Sequence, residues 1–256
     1  MRFYLGTHRP RWLACLDVPL FVSRRTLAPL RTPPRARGPW ALDSGGFTEL
    51  TMHGRWTVAP ADYAREVTRL RDEVGRLEWA APMDWMCEPA VRERTGLSVV
   101  EHQRRTTRNF LELRALAPDI PWTPVLQGWT PGEYLDHLEM YDAAGADLRR
   151  EPLVGVGSVC RRQTSIRADQ ILWSLADEGL RLHGFGYKIT GLRRSARHLT
   201  SADSLAWSLH ARFNPPLAGH SHKTCANCCE FALAWRDELL ASMPEATTAC
   251  GPTVPP

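Results

Sequence analysis

Two groups of residues in this chain have the types and spacing to do chemistry. The first is a set of carboxylates that each close a short apolar segment. These are Asp43 in Asp43-Ser44-Gly45-Gly46-Phe47, Asp84 in Met83-Asp84-Trp85, and Asp203 in Ser201-Ala202-Asp203-Ser204. Carboxylates gathered in one pocket can move protons and attack a sugar carbon. The paired glycines Gly45 and Gly46 let backbone approach a ligand and offer it N–H groups. Taken alone, Asp43 reads first as the cap of a strand-to-loop turn, and Asp203 reads first as the N-cap of a helix over 205–212. The second group is His220-Ser221-His222-Lys223-Thr224-Cys225-Ala226-Asn227-Cys228-Cys229. Two imidazoles and two thiolates this close together suit tetrahedral Zn2+. His220, His222, Cys225 and Cys228 form the expected ligand set, with Cys229 as the alternative to Cys228. Four close protein ligands leave no open position, so the expected zinc is structural.

The carboxylates meet only if the intervening elements bring the ends of those apolar segments to one face. Strand-like segments fall at 3–8, 19–23, 40–44, 77–84, 122–127, 153–158, 182–186 and 197–201. Amphipathic stretches of helical length occupy 61–75, 99–117, 131–144 and 166–179. Thr130-Pro131-Gly132-Glu133 supplies a hydroxyl cap, a first-turn Pro and a capping-box Glu. Strands alternating with helices predict an α/β fold, an irregular (β/α)8 TIM barrel over 1–213 whose early connections are too short for full helices. A doubly wound sheet fits the same pattern. In a barrel, the strand ends at 7–8, 43–46, 84, 127–128, 157–158, 186–188 and 201–203 open onto one mouth. A zinc-binding segment with a C-terminal helix follows over 214–243, and the Pro-rich 244–256 reads as a disordered tail.

Composition narrows the class. With 43% hydrophobic and 23% charged residues over 256 positions, a disordered chain is excluded. The chain lacks an eighteen-residue apolar run, and Met1–His8 lacks the apolar stretch of a signal peptide, so a cytoplasmic protein is expected. Seven cysteines in that compartment favour metal ligands or isolated thiols over disulfides. The net charge of +4 is unevenly spread: residues 1–38 hold eight Arg against one acid, Asp17. Arg suits bidentate phosphate contacts, although an Arg-rich coding bias produces the same excess.

Leu42-Asp43-Ser44-Gly45-Gly46-Phe47 resembles the signature of the tRNA-guanine transglycosylase superfamily, whose members are irregular (β/α)8 barrels with a zinc site near the C-terminus. Further segments match in order. Met83-Asp84-Trp85-Met86-Cys87-Glu88-Pro89 resembles its F-D-E-C-T-P segment, with one extra residue before the Cys. Val125-Leu126-Gln127-Gly128 resembles V-Q-G, and Val154-Gly155-Val156-Gly157-Ser158 stands at its glycine-rich strand end. His183-Gly184-Phe185-Gly186 is similar to M-G-V-G, and Asp203 falls at the nucleophilic Asp. His220, His222 and Cys225 reproduce the C-x-C-x2-C metal spacing with Cys228 as a local fourth ligand, whereas the family's distant His has no counterpart after residue 229.

The resemblance implies that Asp203 attacks the sugar C1′ and expels guanine, while Asp43 serves as acid and base. Asp84, Gln127 and the backbone at Gly155 would read the base edge, with Ser44, Gly45, Gly46 and Gly128 around it. His8 and Lys188 would lie at the mouth. The compact length, the Phe3-Tyr4-Leu5-Gly6-Thr7-His8 start and the H-x2-C-x-N-C run ending at Cys228 are similar to the DpdA-type 7-deazaguanine DNA transglycosylases. Those enzymes replace guanine in DNA with 7-cyano-7-deazaguanine or a related base. The implied partners are DNA, the free deazaguanine base and accessory DNA-modification proteins, with no membrane. Arg24, Arg25, Arg35, Arg37, Arg161, Arg162, Arg193 and Arg194 are the candidate phosphate contacts. The competing expectations are the same chemistry on tRNA, a silent nucleic-acid-binding subunit, and a glycosidase-like hydrolase with no use for the base-edge set.

Overall fold

The computed structural model describes residues 1–159, 166–187 and 189–243. Its strands are β1 (Arg2–Thr7), β2 (Leu20–Ser23), β3 (Trp40–Asp43), β4 (Leu77–Ala80), β5 (Val125–Leu126), β6 (Val154–Val156), β7 (Leu182–Gly184) and β8 (Ser201–Ser204). The helices are α1 (Trp12–Cys15), α2 (Arg24–Leu27), α3 (Gly46–His53), α4 (Pro60–Val74), α5 (Pro89–Thr95), α6 (Val99–Leu116), α7 (Pro131–Ala143), α8 (Ile166–Asp177), α9 (Ile189–Ser195), α10 (Ala206–His210) and α11 (Cys229–Ala241). The strands form one curled parallel sheet in the order β4-β3-β2-β1-β8-β7-β6-β5. Its two edge strands approach each other through an isolated parallel bridge between Ala80 and Trp122. There the Ala80 N–H donates to the Pro121 carbonyl and the Thr123 N–H donates to the Ala80 carbonyl, both at 3.0 Å. Pro121 and Pro124 have no N–H to give, which is why β5 shrinks to two residues.

Alternation along the strands builds a core on each face of the sheet. Phe3, Leu5, Leu20, Val22, Trp40, Leu42, Val154, Val156, Leu182 and Ala202 pack outward into one cluster with Tyr63, Val67 and Leu70 of α4 and Ile171 and Leu175 of α8. The intervening residues Tyr4, Phe21, Ala41 and Trp79 form a smaller inner cluster with Ala81, Leu153 and Phe185. Gly155 is inward too, and a Cβ there would collide with the Phe185 ring. Register therefore decides which side chains can reach the inside of the curl.

The long helices follow their sequence signals to within two residues. The Thr130–Glu133 capping box forms, with Pro131 in the first turn of α7. The short early connections are the four-residue α1 and α2. Two expectations need correction. The segment at 77–84 is a strand only to Ala80, because Pro82 supplies no ladder N–H and biases Ala81 away from regular pairing. The last strand lies at Ser201–Ser204 rather than 197–201, and residues 196–198 form a short 3-10 turn. Three of its four residues are polar although all four are buried, so apolar patterning points instead to the preceding Leu199. Lys188, Arg161, Arg162 and the tail at 244–256 lie outside the described residues.

Candidate active site

The C-terminal strand ends surround a cavity of about 280 Å³, near the lower bound of small-molecule sites, about 300 Å³. Four carboxylates line it, Asp43, Asp84, Glu88 and Asp203, against walls that include Phe21, Phe47, Met86 and Phe185. Among the described lining residues there is no Lys, Arg or His. Such a pocket repels a phosphate and suits a neutral flat ring whose edge carries N–H donors.

Asp84 anchors a buried polar chain. The Gln127 amide donates to its Oδ2 at 2.6 Å and the Ser44 hydroxyl to its Oδ1 at 3.3 Å. Behind them the Ser158 hydroxyl donates to Gln127 Oε1 at 2.7 Å and accepts the Cys87 N–H at 2.8 Å. Those two bonds hold Ser158 in the left-handed region at φ 57°, a conformation that costs a non-glycine residue energy. Gln127 is fully buried and orients Asp84 instead of forming the wall. Gly157 makes room for it, since a Cβ there would overlap the Gln127 amide. Burial, and then the negative charge of Asp43, push the Asp84 pKa up to about 7 against the pull of Gln127 and Ser44. Burial also raises Asp43, the Ser23 hydroxyl and the Gly45 N–H oppose the rise, and the Asp203 charge adds to it.

Asp203 reaches the cavity because Ala202 takes the outward position of β8. Its Oδ1 accepts the Gly186 N–H at 2.8 Å and lies 3.3 Å from His183 Nε2.

One face of α6 holds the strand-end loops in place. Asn109 donates to the Met83 carbonyl at 2.7 Å, the Thr106 hydroxyl accepts the Trp85 N–H at 2.8 Å, and His102 Nδ1 lies 2.6 Å from the Met86 carbonyl. The Gln103 amide donates to the carbonyls of Gln127 and Glu133 at 2.8 and 2.7 Å. Each of these α6 side chains is buried, so each also needs such a partner.

A second cluster sits after α10. The ligand atoms of His220, His222, Cys225 and Cys228 all lie within 4.8 Å of one another and could hold a metal ion. Cys229 is outside this set; it begins α11 and packs on the main core. Between the ligands, Asn227 Oδ1 lies 2.5 Å from His8 Nε2 and accepts from Arg9 Nε at 3.2 Å, joining the cluster to the end of β1.

The family described as DpdA, DeoxyPurine in DNA protein A, matches residues 1–251. The chain belongs to the DpdA family. No curated protein sequence matches it. Membership in DpdA ties the chain to the modification of deoxypurines in DNA and implies DNA as substrate. Among the described residues, no helix is long and apolar enough to cross a membrane.

Of the residues expected at an active site, Asp43, Ser44, Gly46, Asp84 and Asp203 line the cavity together. Gly45 takes φ 76° beside the Arg25 side chain. Gln127 stands behind the wall, Gly155 lies under Phe185, and Gly128 abuts Tyr134. His8 stacks on Trp207, with ring centroids 6.2 Å apart at 9°. Several arginines offered as phosphate contacts are occupied. Arg24 is buried with Glu66 at 2.8 Å, Arg35 donates to the carbonyls of Asp72 and Glu73, and Arg194 lies 3.5 Å from Asp169. Sequence reasoning passed over Glu88, Ser158, the α6 face and His183 as site residues. For His183 a signal existed: it alternates with Leu182 and Gly184 in a strand, so it must point inward.

Proposed function

We propose that this chain is a base-exchange transglycosylase that replaces guanine in DNA with a 7-deazaguanine base through a covalent glycosyl–Asp203 intermediate. The observation that carries the reading is the meeting of Asp43, Asp84 and Asp203 in one aromatic-walled cavity of a DpdA-family chain. Asp203 attacks C1′ and the C1′–N9 bond breaks, with its electron pair leaving on guanine. Asp43 gives the departing base a proton; burial raises its pKa, which favours the acid form. The incoming base then returns a proton to Asp43 as its N9 displaces Asp203, restoring the configuration at C1′. Asp84, held by Gln127 and Ser44, accepts from the N–H edge of either base. Because a stacked guanine is out of reach, the substrate is flipped or single-stranded.

The same reading takes the curled sheet as an irregular (β/α)8 TIM barrel over 1–213, followed by a zinc-binding segment at 214–243. The chemistry of the donor set fits zinc. His220 Nδ1 to His222 Nε2 is 3.3 Å, and His220 Nδ1 to the Cys225 and Cys228 sulfurs is 3.8 and 3.7 Å. Edges of a tetrahedron with Zn–N and Zn–S bonds of about 2.05 and 2.3 Å are about 3.3–3.8 Å; His222 Nε2 to the Cys225 sulfur, at 3.0 Å, is shorter than such an edge. Glu230 lies 3.1 Å from His220 Nε2, as a carboxylate that orients a ligating imidazole does. Bound there, zinc would supply a cross-link and no reactive water, since His220, His222, Cys225 and Cys228 would hold it. His222→Ala and Cys225→Ala are expected to remove the metal and lower Tm by about 5–10 °C. Unchanged zinc content by elemental analysis would rule out this ligand set.

The function is tested by incubating the protein with guanine-labelled DNA, single-stranded and duplex, and separately with labelled tRNA, each with 7-cyano-7-deazaguanine. Release of label from DNA is expected. Release from tRNA alone overturns the DNA assignment, and release from neither overturns the transglycosylase reading in favour of a silent binding subunit.

A further inference from the structure

His183 is buried inside the curl, where base and solvent do not reach. Its ring is fully enclosed and caged by Trp79 at 4.6 Å, Phe185 at 4.7 Å, Phe21 at 5.9 Å and Tyr4 at 6.0 Å between ring centroids. An imidazole in an apolar cage needs partners for both nitrogens. Nδ1 finds the Ser201 hydroxyl at 2.8 Å, and Nε2 faces Asp203 Oδ1 at 3.3 Å. A carboxylate can only accept, so Nε2 carries the proton in this pair. The Gly186 N–H converges on the same oxygen at 2.8 Å. Both contacts therefore fall on Oδ1, and Asp203 lines the cavity.

We propose that His183 is a positioning residue that clamps Oδ1 of Asp203, making Oδ2 the attacking atom and easing departure of the carboxylate in the second displacement; this rests on the transglycosylase reading above. In the first step Oδ2 bonds to C1′, the C1′–N9 bond breaks, and Oδ1 becomes an ester carbonyl. In the second step N9 of the incoming base bonds to C1′, the C1′–Oδ2 bond breaks, and its electron pair returns to the carboxylate. Charge then reappears across both oxygens, and the Nε2–H and Gly186 N–H stabilise it at Oδ1. An ester carbonyl is a weaker acceptor than a carboxylate. Both donors therefore favour the free carboxylate over the ester and hasten release of the glycosyl group. A side chain that merely filled the cage would change neither partition.

The test compares His183→Phe, which keeps a ring in the cage and removes the donor, with His183→Gln, whose amide can reach the place of Nε2. Base exchange on DNA and the fraction of enzyme held as covalent DNA adduct are measured for both and for wild type. His183→Phe is expected to lower kcat by about 10–100-fold with KM for the free base nearly unchanged. Its adduct fraction should rise above wild type, and His183→Gln should restore most of kcat. Wild-type kcat and adduct level in His183→Phe overturn the clamp, as does an equal loss in both variants without added adduct. Should His183→Phe fail to fold, Ser201→Ala, which frees the ring to turn, must show the same rise in adduct or the assignment fails. Absence of exchange and adduct in wild type overturns the transglycosylase reading itself and is thus a distinct result.

Discussion

Asp203→Asn is expected to abolish base exchange and covalent trapping while leaving the fold intact. The asparagine oxygen can still accept from the Gly186 N–H and His183, so the end of β7 and the His183 ring keep their partners. What disappears is the anionic oxygen proposed to bond to C1′. Loss of a nucleophile with no substitute costs about 10⁴-fold or more in kcat. Asp203→Ala should be equally inactive and slightly less stable, because it strands two donors, at about 1 kcal/mol each where water can enter. Guanine release from labelled DNA and denaturing gels of the enzyme–DNA mixture read both effects. An Asn variant with wild-type release would show that another group attacks the sugar.

Asp84→Asn is expected to do two opposite things, raising stability above neutrality while destroying base recognition. The folded-state pKa of about 7 stands well above the ordinary Asp value of 3.8. An acid raised on folding holds its proton longer in the native state, so its contribution favours folding at low pH. That contribution is lost as pH climbs from about 4 through 7, and above 7 the buried charge beside Asp43 is a cost on the order of 2–4 kcal/mol. Asparagine removes the charge and fits the site: its oxygen accepts from Gln127 and its amide donates to the Ser44 hydroxyl, which can turn. At pH 8 the variant should melt about 5–10 °C above wild type, with the gap closing toward pH 4. Recognition goes the other way. An amide N–H facing the donor edge of guanine loses an acceptor and adds a repulsion, so kcat/KM should fall by about 10³-fold or more. In wild type the same acid predicts weaker base binding below pH 7, where Asp84 gains its proton. Melting curves across pH 4–8 that coincide for the two proteins would remove the raised pKa from the account.

These two effects share a cause in how the chain folds. Long helices were legible because their evidence is local: the cap at Thr130, the first-turn prolines Pro60, Pro89 and Pro131, and an apolar stripe facing the sheet. Early strands were legible because Phe3–Leu5, Leu20–Val22 and Trp40–Leu42 are apolar on both faces, as strands packed inside and out must be. The eighth strand escapes apolar patterning because its polar residues are satisfied by partners distant in sequence, Ser201 by His183 and Asp203 by Gly186. The α6 face was readable as a helix and unreadable in purpose. His102, Gln103, Thr106 and Asn109 look like an exposed polar side until the irregular backbone at 82–88 and Gln127 arrive to claim their hydrogen bonds.

By itself the sequence determined which groups exist to do chemistry and that strand ends carry them. Asp43, Asp84 and Asp203 were named from their neighbours, and so were the four residues His220, His222, Cys225 and Cys228, because metal ligands this close in sequence need little tertiary help to meet. The tertiary structure decided the rest: that Gln127 stands behind Asp84, that His8 stacks on Trp207, that Arg24 is spent on Glu66, and that a buried histidine inside the curl faces Asp203. Spacing along a chain fixes what is near within a turn or two, whereas burial, pairing and the charge state of a carboxylate depend on which distant strands close around it.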